Sequence, residues 1–174
     1  MLGFTGHIVV VADVDDAWLS GHLRPGELSE AFTPPFLGAL ASRLARRVSA
    51  IDLVALSPRV PGVPDITLTE ITDRDHPRVR RALRYRTDVS VWTAGAGVVM
   101  LGRGFAGRWE VAVEVDRDHQ GRGLGRRLAA AARHLVPDRR GVWAQIAPGN
   151  AASVRAFLAA GYRVVGQEAL LVTH

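Results

Sequence analysis

The chain has 174 residues, 48% of them hydrophobic, and a formal net charge of +5 in which all 22 basic residues are arginine. This length and hydrophobic content suit one domain, or one domain with an appendage, and exclude global disorder. The absence of cysteine excludes disulfides and thiolate metal sites, and we expect no metal. No apolar run approaches a membrane span and the N-terminus lacks a secretory pattern, so we expect a cytoplasmic protein without membrane partners.

The N-terminal third of the chain alternates between strand and helix patterns. A buried strand is predicted over Gly6–Ala12 and a short helix over Asp13–Ser20. A longer helix opens at two prolines and carries one apolar stripe over Pro34–Val48. The apolar run Asp52–Leu56 predicts a second strand. Together these patterns predict a β-α-β unit.

A proline-rich segment follows this unit. Pro58–Pro64 contains three prolines and a glycine, a composition typical of a linker. We therefore predict a domain boundary there, with an N-terminal extension over residues 1–60 and the main domain over residues 65–174.

The rest of the chain predicts a strand, a helix, a three-stranded antiparallel meander and then a β-α-β-α-β run. The crossover helix between two neighbouring strands requires those strands to be parallel. The predicted elements, in order, are Ile66–Ile71, Pro77–Leu83, Asp88–Ala94, Gly97–Leu101, Arg108–Val115, Leu124–Val136, Val142–Ala147, the helix from Asn150 to Gly161, and Tyr162–Val172.

The stretch Gln120–Arg126, Gln-Gly-Arg-Gly-Leu-Gly-Arg, connects a predicted strand to a predicted helix. Loop glycines let the backbone turn tightly and approach a ligand, and a helix start offers unpaired N–H groups to an anion. The dinucleotide fingerprint fails because Arg126 occupies the third glycine position, and the P-loop fails because the chain has no lysine. The pattern that fits is Gln/Arg-x-x-Gly-x-Gly/Ala, at Gln120, Gly123 and Gly125.

A second motif lies downstream. After the strand Val142–Ala147, the chain has Asn150 and Ser153 at the start of a helix and Gly161-Tyr162 at its end. Together the two motifs resemble the GNAT superfamily of N-acetyltransferases, whose coenzyme A pyrophosphate loop has the first pattern. The resemblance extends from about Ile66 to the C-terminus.

The resemblance implies an α/β (α+β) fold in which a central mixed sheet is flanked by helices, here preceded by the N-terminal β-α-β extension. Two neighbouring parallel strands of that sheet, Trp109–Val115 and Val142–Ala147, would splay apart. It also implies an acyl-CoA-dependent N-acyltransferase that uses acetyl-CoA, with an amine attacking the thioester directly. The acceptor, a small-molecule or peptide amine, stays open, as does a homodimer.

The implied coenzyme site has three parts. Main-chain groups of Val113 and Val115 would pair with the pantetheine amides, and N–H groups of the glycine loop would bind the pyrophosphate. The first residues of the Asn150 helix would lie beside the pantetheine arm, although capping of that helix explains Asn150 equally well. The residues implied in coenzyme binding are Val113, Val115, Gln120, Gly121, Arg122, Gly123, Leu124, Gly125, Arg126, Asn150 and Ser153.

The usual proton-transfer residues of the family are missing. Phe157 occupies the position where many members have a tyrosine that acts as general acid. Gln145 occupies the position where some have a glutamate that acts as general base. The candidate catalytic bases are therefore Glu110 and Glu114, which share one face of an alternating strand; both pointing to solvent is the alternative.

A water chain could replace the base, and three further candidates are His76, Tyr85 and His119. The five arginines of residues 78–86 either form a solvated helix face or include one or two that hold an acidic substrate or a coenzyme phosphate.

Two rival functions stay open. Without its proton-transfer groups, the domain would bind or sense acyl-CoA without catalysis. A nucleic-acid binder is the third alternative, but the basic residues form no aromatic-interleaved stripe and no low-complexity tail, so we do not expect nucleic acid as a partner.

Overall fold

Nine strands form one mixed sheet, in the order β2-β1-β9-β3-β8-β7-β6-β5-β4, and five α-helices accompany it in the described part of the chain. The structure is a computed structural model that describes residues 1–137 and 140–173. The strands are β1 (Leu2–Phe4), β2 (His7–Val9), β3 (Arg47–Ser57), β4 (Thr69–Glu70), β5 (Thr87–Ala94), β6 (Gly97–Arg103), β7 (Trp109–Val115), β8 (Val142–Ile146) and β9 (Arg163–Val172). The helices are α1 (Asp16–His22), α2 (Pro34–Arg43), α3 (Pro77–Leu83), α4 (Leu124–Leu135) and α5 (Ala151–Ala159). The predicted α/β class, a mixed sheet flanked by helices, is confirmed.

The chain divides into two units, and the first comprises residues 1–53 with the residues from Val165 onward. Its strands β1 and β2 form an antiparallel hairpin, and β1 also pairs antiparallel with β9. Its core is made of Met1, Ala31, Phe36, Leu37, Leu40 and Ala169.

The predicted elements in the N-terminal part of the chain differ in extent from the observed ones, and two of these differences have a visible cause in the backbone. The single strand expected over Gly6–Ala12 is the second half of a hairpin, because Gly6, with φ +82°, turns the chain. The second helix ends at Arg43 rather than Val48, because Ala45 takes a left-handed conformation with φ +50° and the chain then enters β3.

The second unit, residues 54–164, contains the antiparallel meander β5-β6-β7 that the turn pattern predicts. On one face of the meander, α3 buries Val79 and Ala82 against Val91, Val98 and Met100. The crossover through α4 makes β7 and β8 parallel, as predicted.

The proline-rich segment predicted to be a linker lies along α4 within this unit. The Val60 N–H donates to the Arg133 carbonyl at 2.9 Å, and Arg59 Nε donates to the Val136 carbonyl at 3.0 Å. The N-terminal segment of the first unit ends at Leu53, ahead of this proline-rich segment. The separation of residues 1–60 from residues 65–174 stays a prediction.

Among the described residues, no helix combines the length and the apolar character that crossing a bilayer requires.

Candidate functional site

The parallel strands β7 and β8 pair over only two residues each. Glu110 is opposite Trp143 and Val111 is opposite Ala144, whereas β7 continues to Val115. Antiparallel pairing of β7 with β6, by contrast, covers the whole strand. The edge of β7 that faces β8 is therefore open beyond Val111, as the predicted splay requires.

The main chain of Val113 and Val115 faces this opening. The Asp116 N–H donates to the Ala96 carbonyl at 2.9 Å, which directs Asp116 toward the β6 side. Because successive residues of a strand direct their N–H and C=O groups to opposite edges, Val115 and Val113 direct theirs to the β8 side. Both residues lie past the last β7–β8 pair, so the opening presents main-chain groups to an extended ligand.

The glycine loop lies between the open end of β7 and the start of α4. Gly121 has φ +76° and Gly123 has φ +82°, conformations that side chains rarely adopt. A Cβ added to either glycine would meet no atom within 4 Å, so the space beside the loop is open. Gly123 is also the N-cap of α4 and offers no side chain to the first N–H groups of that helix. The loop and the helix start therefore leave open space beside the first main-chain N–H groups of α4, which suits an anion.

The remaining loop residues have distinct positions. A Cβ on Gly125 would lie 3.7 Å from Val115 Cγ2, so the first turn of α4 passes close to β7. Leu124 points inward, toward Gly97 on β6. Arg122 and Arg126 are exposed. These placements assign packing to Leu124 and Gly125 and leave the two arginines accessible to a charged ligand.

Gln120 has a structural contact that the sequence did not indicate. Its side-chain Nε2 donates to the Val115 carbonyl at 3.1 Å. This bond joins the glycine loop to the open end of β7.

Asn150 caps α5. Its side-chain Oδ1 accepts a hydrogen bond from the Ser153 N–H at 3.0 Å, the pattern of an N-cap residue. The capping role considered from the sequence is therefore present, and the contact of these two residues with a pantetheine arm stays a prediction.

Glu110 is buried within a cluster of positive charge. Its side chain is 6% exposed; one carboxylate oxygen accepts from Arg108 Nε at 2.8 Å and the other from Arg86 Nε at 3.2 Å. The Phe105 N–H also donates to it, at 3.3 Å. A Cβ on Gly104 would overlap the same carboxylate, which would then have to move away from its donors. A carboxylate with three donors and little solvent access is suited to holding the start of β7 rather than to accepting a substrate proton.

Glu114 lies on the same face of β7 but at the open end. Its Oε1 is 3.2 Å from Arg81 Nη1 of α3, and its side chain is 34% exposed. Opposite it on β6 is Val98, which belongs to the apolar cluster beneath α3. Of the two candidate bases, Glu114 is the more exposed, and it lies beyond the last pair of β7 with β8.

Phe157 is a core residue. It is 7% exposed, and its ring meets the ring of Tyr162. The Tyr162 hydroxyl donates to the Ala129 carbonyl at 3.1 Å, and burial raises the pKa of this phenol, an effect that Arg133 opposes only in part. Tyr162 therefore keeps its proton at neutral pH and joins the end of α5 to α4.

The other sequence candidates lie around the site. Gln145 is half-buried on β8, one residue past the last pair with β7. Tyr85 is 74% exposed after α3, His119 ends a single 3₁₀ turn ahead of the loop, and His76 precedes α3. In the part of the chain that the structure describes, no group of His, Cys, Asp and Glu could hold a metal ion.

Sequence reasoning missed the pairing of Arg81 with Glu114 and of Arg86 and Arg108 with Glu110. The arginine-rich stretch 78–86 was the available signal, but the partners of Arg81 and Arg86 both lie on β7, far from them in sequence.

The comparisons with known proteins bear on this site. The model of the acetyltransferase (GNAT) family matches residues 70–162, more than half of the 174 residues, and the match includes the open strand, the glycine loop, α4 and α5. No curated protein and no solved structure matches the chain closely enough to count as similar. The chain therefore belongs to the GNAT acetyltransferase family.

Proposed function

We propose that this protein transfers an acetyl group from acetyl-CoA to an amine. The observation that carries the proposal is the continuity of the open edge of β7 with the glycine loop. Val113 and Val115 present main-chain groups at the opening, and Gln120 joins the end of that strand to the loop. An extended amide-containing arm and an anionic pyrophosphate would both find matching donors along this path.

The residues fit coenzyme A on grounds of conformation and space. Gly121 and Gly123 take left-handed conformations, and the space a Cβ would occupy on each is empty. The twelve-residue helix α4 begins directly after them, so its N-terminal N–H groups and dipole favour an anion. Arg122 and Arg126 add accessible positive charge at the loop.

The bound coenzyme would supply a thioester, whose carbonyl carbon is open to attack by a neutral amine. The N–H of Val113 or Val115 would donate to the carbonyl oxygen as it gains negative charge. Glu114 would accept the proton that the amine must lose before it attacks. In this assignment Glu110 positions β7 through its arginine contacts and takes no part in proton transfer.

The proposal includes a cytoplasmic enzyme with a small-molecule or peptide amine as acceptor, and without membrane or nucleic-acid partners.

A non-catalytic acyl-CoA-binding domain is the rival. Two observations favour it: Phe157 has no acidic group and is buried, and Gln145 cannot accept a proton at neutral pH. A thiolate is, however, a tolerable leaving group near neutral pH because the pKa of a free thiol is about 8.5. Loss of the acid therefore does not by itself abolish transfer.

The experiment has two measurements on the same preparation. Coenzyme that binds only the native state stabilises it by RT ln(1 + [L]/Kd), about 2.7 kcal/mol at a hundredfold excess over Kd. We therefore expect Tm to rise by several degrees with acetyl-CoA or CoA. Transfer to a panel of amines is followed with a thiol-detecting reagent, and the chain contains no cysteine that would react with it.

A Tm rise with amine-dependent thiol release supports the enzyme. A Tm rise without release from any amine supports the binding domain. No Tm change at millimolar coenzyme contradicts both.

A further inference from the structure

Arg81 and Glu114 form a pair of opposite charges at the mouth of the opening. Arg81 lies on α3 and Glu114 lies on β7, and Arg81 Nη1 is 3.2 Å from Glu114 Oε1. Glu114 stands between Val113 and Val115, the residues whose main chain faces the opening. The pair is therefore adjacent to the place where an acceptor amine must arrive.

The pair is accessible and easily separated. The Arg81 side chain is 71% exposed and the Glu114 side chain 34% exposed. Exposed ion pairs contribute little to stability because solvent screens them and both side chains lose freedom. A ligand that offers each partner a new counter-charge can therefore replace the contact at low cost.

We propose that this pair recognises an acceptor whose amine and carboxylate are close together, as in an α-amino acid. The inference rests on the proposed function and adds the class of acceptor. The acceptor carboxylate would bind the Arg81 guanidinium, whose planar fork matches a carboxylate. Its ammonium would bind the Glu114 carboxylate, so the two opposite charges of the ligand replace the two of the resting pair.

The same contact places the nitrogen for reaction. The ammonium gives one proton to Glu114 and becomes a neutral nucleophile. The nitrogen then forms a bond to the acetyl carbon as the carbon–sulfur bond breaks. The nitrogen loses a second proton, the departing thiolate takes up one, and one proton is released overall. Glu114 acts on the nitrogen, whereas Arg81 contacts only the carboxylate.

The chain offers a matched control on the same helix. Arg80 is exposed, carries the same charge and precedes Arg81 by one position. Adjacent residues of a helix do not share a face, so Arg80 does not duplicate the contact of Arg81. The Arg81→Gln and Arg80→Gln variants remove the same charge from α3, but of the two only Arg81→Gln removes the guanidinium that lies 3.2 Å from Glu114.

The test compares α-amino acids with their α-carboxamides as acceptors, by kcat/KM in the thiol-release assay. The amide is the less basic amine and is more often neutral, so intrinsic reactivity favours it over the acid. We expect the wild type to prefer the best amino acid over its amide by about tenfold or more, the size of a charge-assisted contact. Arg81→Gln should reduce this preference to less than about threefold, through KM. Arg81→Lys should be intermediate, and Arg80→Gln should keep the wild-type preference.

Several outcomes would overturn the inference. One is a wild type that acetylates amines without preferring the carboxylate, which leaves the proposed function intact. A second is an equal loss of preference in Arg80→Gln, which indicates a general field of positive charge. A third is an equal fall for acid and amide in Arg81→Gln, which indicates a structural role. Absence of both coenzyme binding and transfer would instead remove the proposed function, and the inference with it.

Discussion

The rings of Phe157 and Tyr162 meet edge to face, with their centroids 4.9 Å apart and their planes at 84°. This is a favoured arrangement of aromatic rings, and both residues are buried. Tyr162 is anchored by its hydroxyl to the main chain of α4, so Phe157 packs α5 against a fixed partner. The residue at the position of the family's usual acid is thus part of the core.

A hydroxyl restored at this position should therefore bring little catalytic gain. Burying an unpaired hydroxyl costs about 1–3 kcal/mol, so we expect Phe157→Tyr to lower the free energy of unfolding by that amount. Coenzyme affinity should stay within about threefold and kcat within about tenfold, since general acid catalysis helps a thiolate leaving group less than most. The measurements are urea unfolding and kcat against pH. A hundredfold gain in kcat would show that the wild type lacks its acid and would favour the non-catalytic rival.

The glycine loop can be tested at Gly123. A valine there is strained by its positive φ, at a cost of about 1–3 kcal/mol, and its branches enter the open space beside the loop. We expect coenzyme affinity to fall at least about tenfold while the fold persists. Gly6→Val is the control, because Gly6 has the same φ of +82° and equally open surroundings, within the first unit. Both variants should melt earlier than the wild type. An equal Tm rise with acetyl-CoA in both would mean that the loop is only a turn.

Neutralising Glu110 should mainly lower stability, whereas neutralising Glu114 should mainly lower kcat. Glu110→Gln removes the negative charge that faces the largely buried guanidinium groups of Arg108 and Arg86, and breaking such a buried ion pair costs about 3–5 kcal/mol of stability. Glu114→Gln removes the exposed ion pair with Arg81, worth less than about 1 kcal/mol, but should lower kcat by about a hundredfold or more. Denaturant unfolding and thiol-release kinetics, both performed on each variant, separate the two effects. Full activity in Glu114→Gln would leave water or another group as the base.

Against the domain boundary predicted from the sequence, the contacts of the segment before Pro64 lead us to expect that a chain beginning at Pro64 does not fold. It lacks the Ser57 hydroxyl that donates to the Gly161 carbonyl at 3.2 Å, and the contacts of Arg59 and Val60 with the end of α4. These losses fall within the second unit itself, so the cut removes more than an appendage. We expect an insoluble product or one without a cooperative thermal transition. A soluble fragment with the full Tm rise on adding acetyl-CoA would instead establish residues 65–174 as a separate domain.

The ionised carboxylate of Asp52 should lower the free energy of unfolding at neutral pH. Burial raises the pKa of its carboxyl, and the Glu168 carboxylate raises it further. The folded protein therefore binds this proton more tightly than the unfolded chain, and stability falls as pH rises from the unfolded pKa through the folded one. Asp52→Asn should raise Tm at pH 7 by about 1–3 °C, a small effect because the group is partly exposed.

The advantage of Asp52→Asn should disappear below about pH 4, where Asp52 is protonated in both states. Thermal scans from pH 3 to 8 measure this, with Asn at the exposed Asp13 as the control. A Tm difference that is independent of pH would contradict the assignment.

Features determined by neighbouring residues could be predicted from the sequence, and features determined by packing could not. Alternation predicts the strand Trp109–Val115, the glycines after it predict the loop, and helical periodicity predicts the crossover helix. Each of these depends on local periodicity or on a backbone conformation. The extents of the predicted strand Gly6–Ala12 and of the predicted helix Pro34–Val48 were wrong. Gly6 and Ala45 take positive φ values and change the chain direction, and the hydrophobic pattern does not show this.

The candidate bases show the same limit. Alternation correctly placed Glu110 and Glu114 on one face of β7, but their surroundings differ completely. Glu110 is buried rather than solvent-exposed, because its carboxylate pairs with Arg86, which follows α3, and with Arg108, which precedes β7. Its role as a base stays a prediction. No pattern in the sequence specifies which arginine meets which carboxylate.

The hydrogen bond from Gln120 to the Val115 carbonyl affects how mutations at this site should be interpreted. An alanine at position 120 would remove a side chain from the glycine loop proposed to bind pyrophosphate. At the same time it would release the end of β7, the strand proposed to face the thioester. A lower affinity for coenzyme and a lower kcat would then have the same cause. Neither could be assigned to a direct contact between the glutamine side chain and a phosphate. Gln120 thus links the loop to the end of β7 through one hydrogen bond, whereas a Cβ added at Gly123 would meet no atom within 4 Å. Gly123 is therefore the better position at which to perturb the proposed anion site alone.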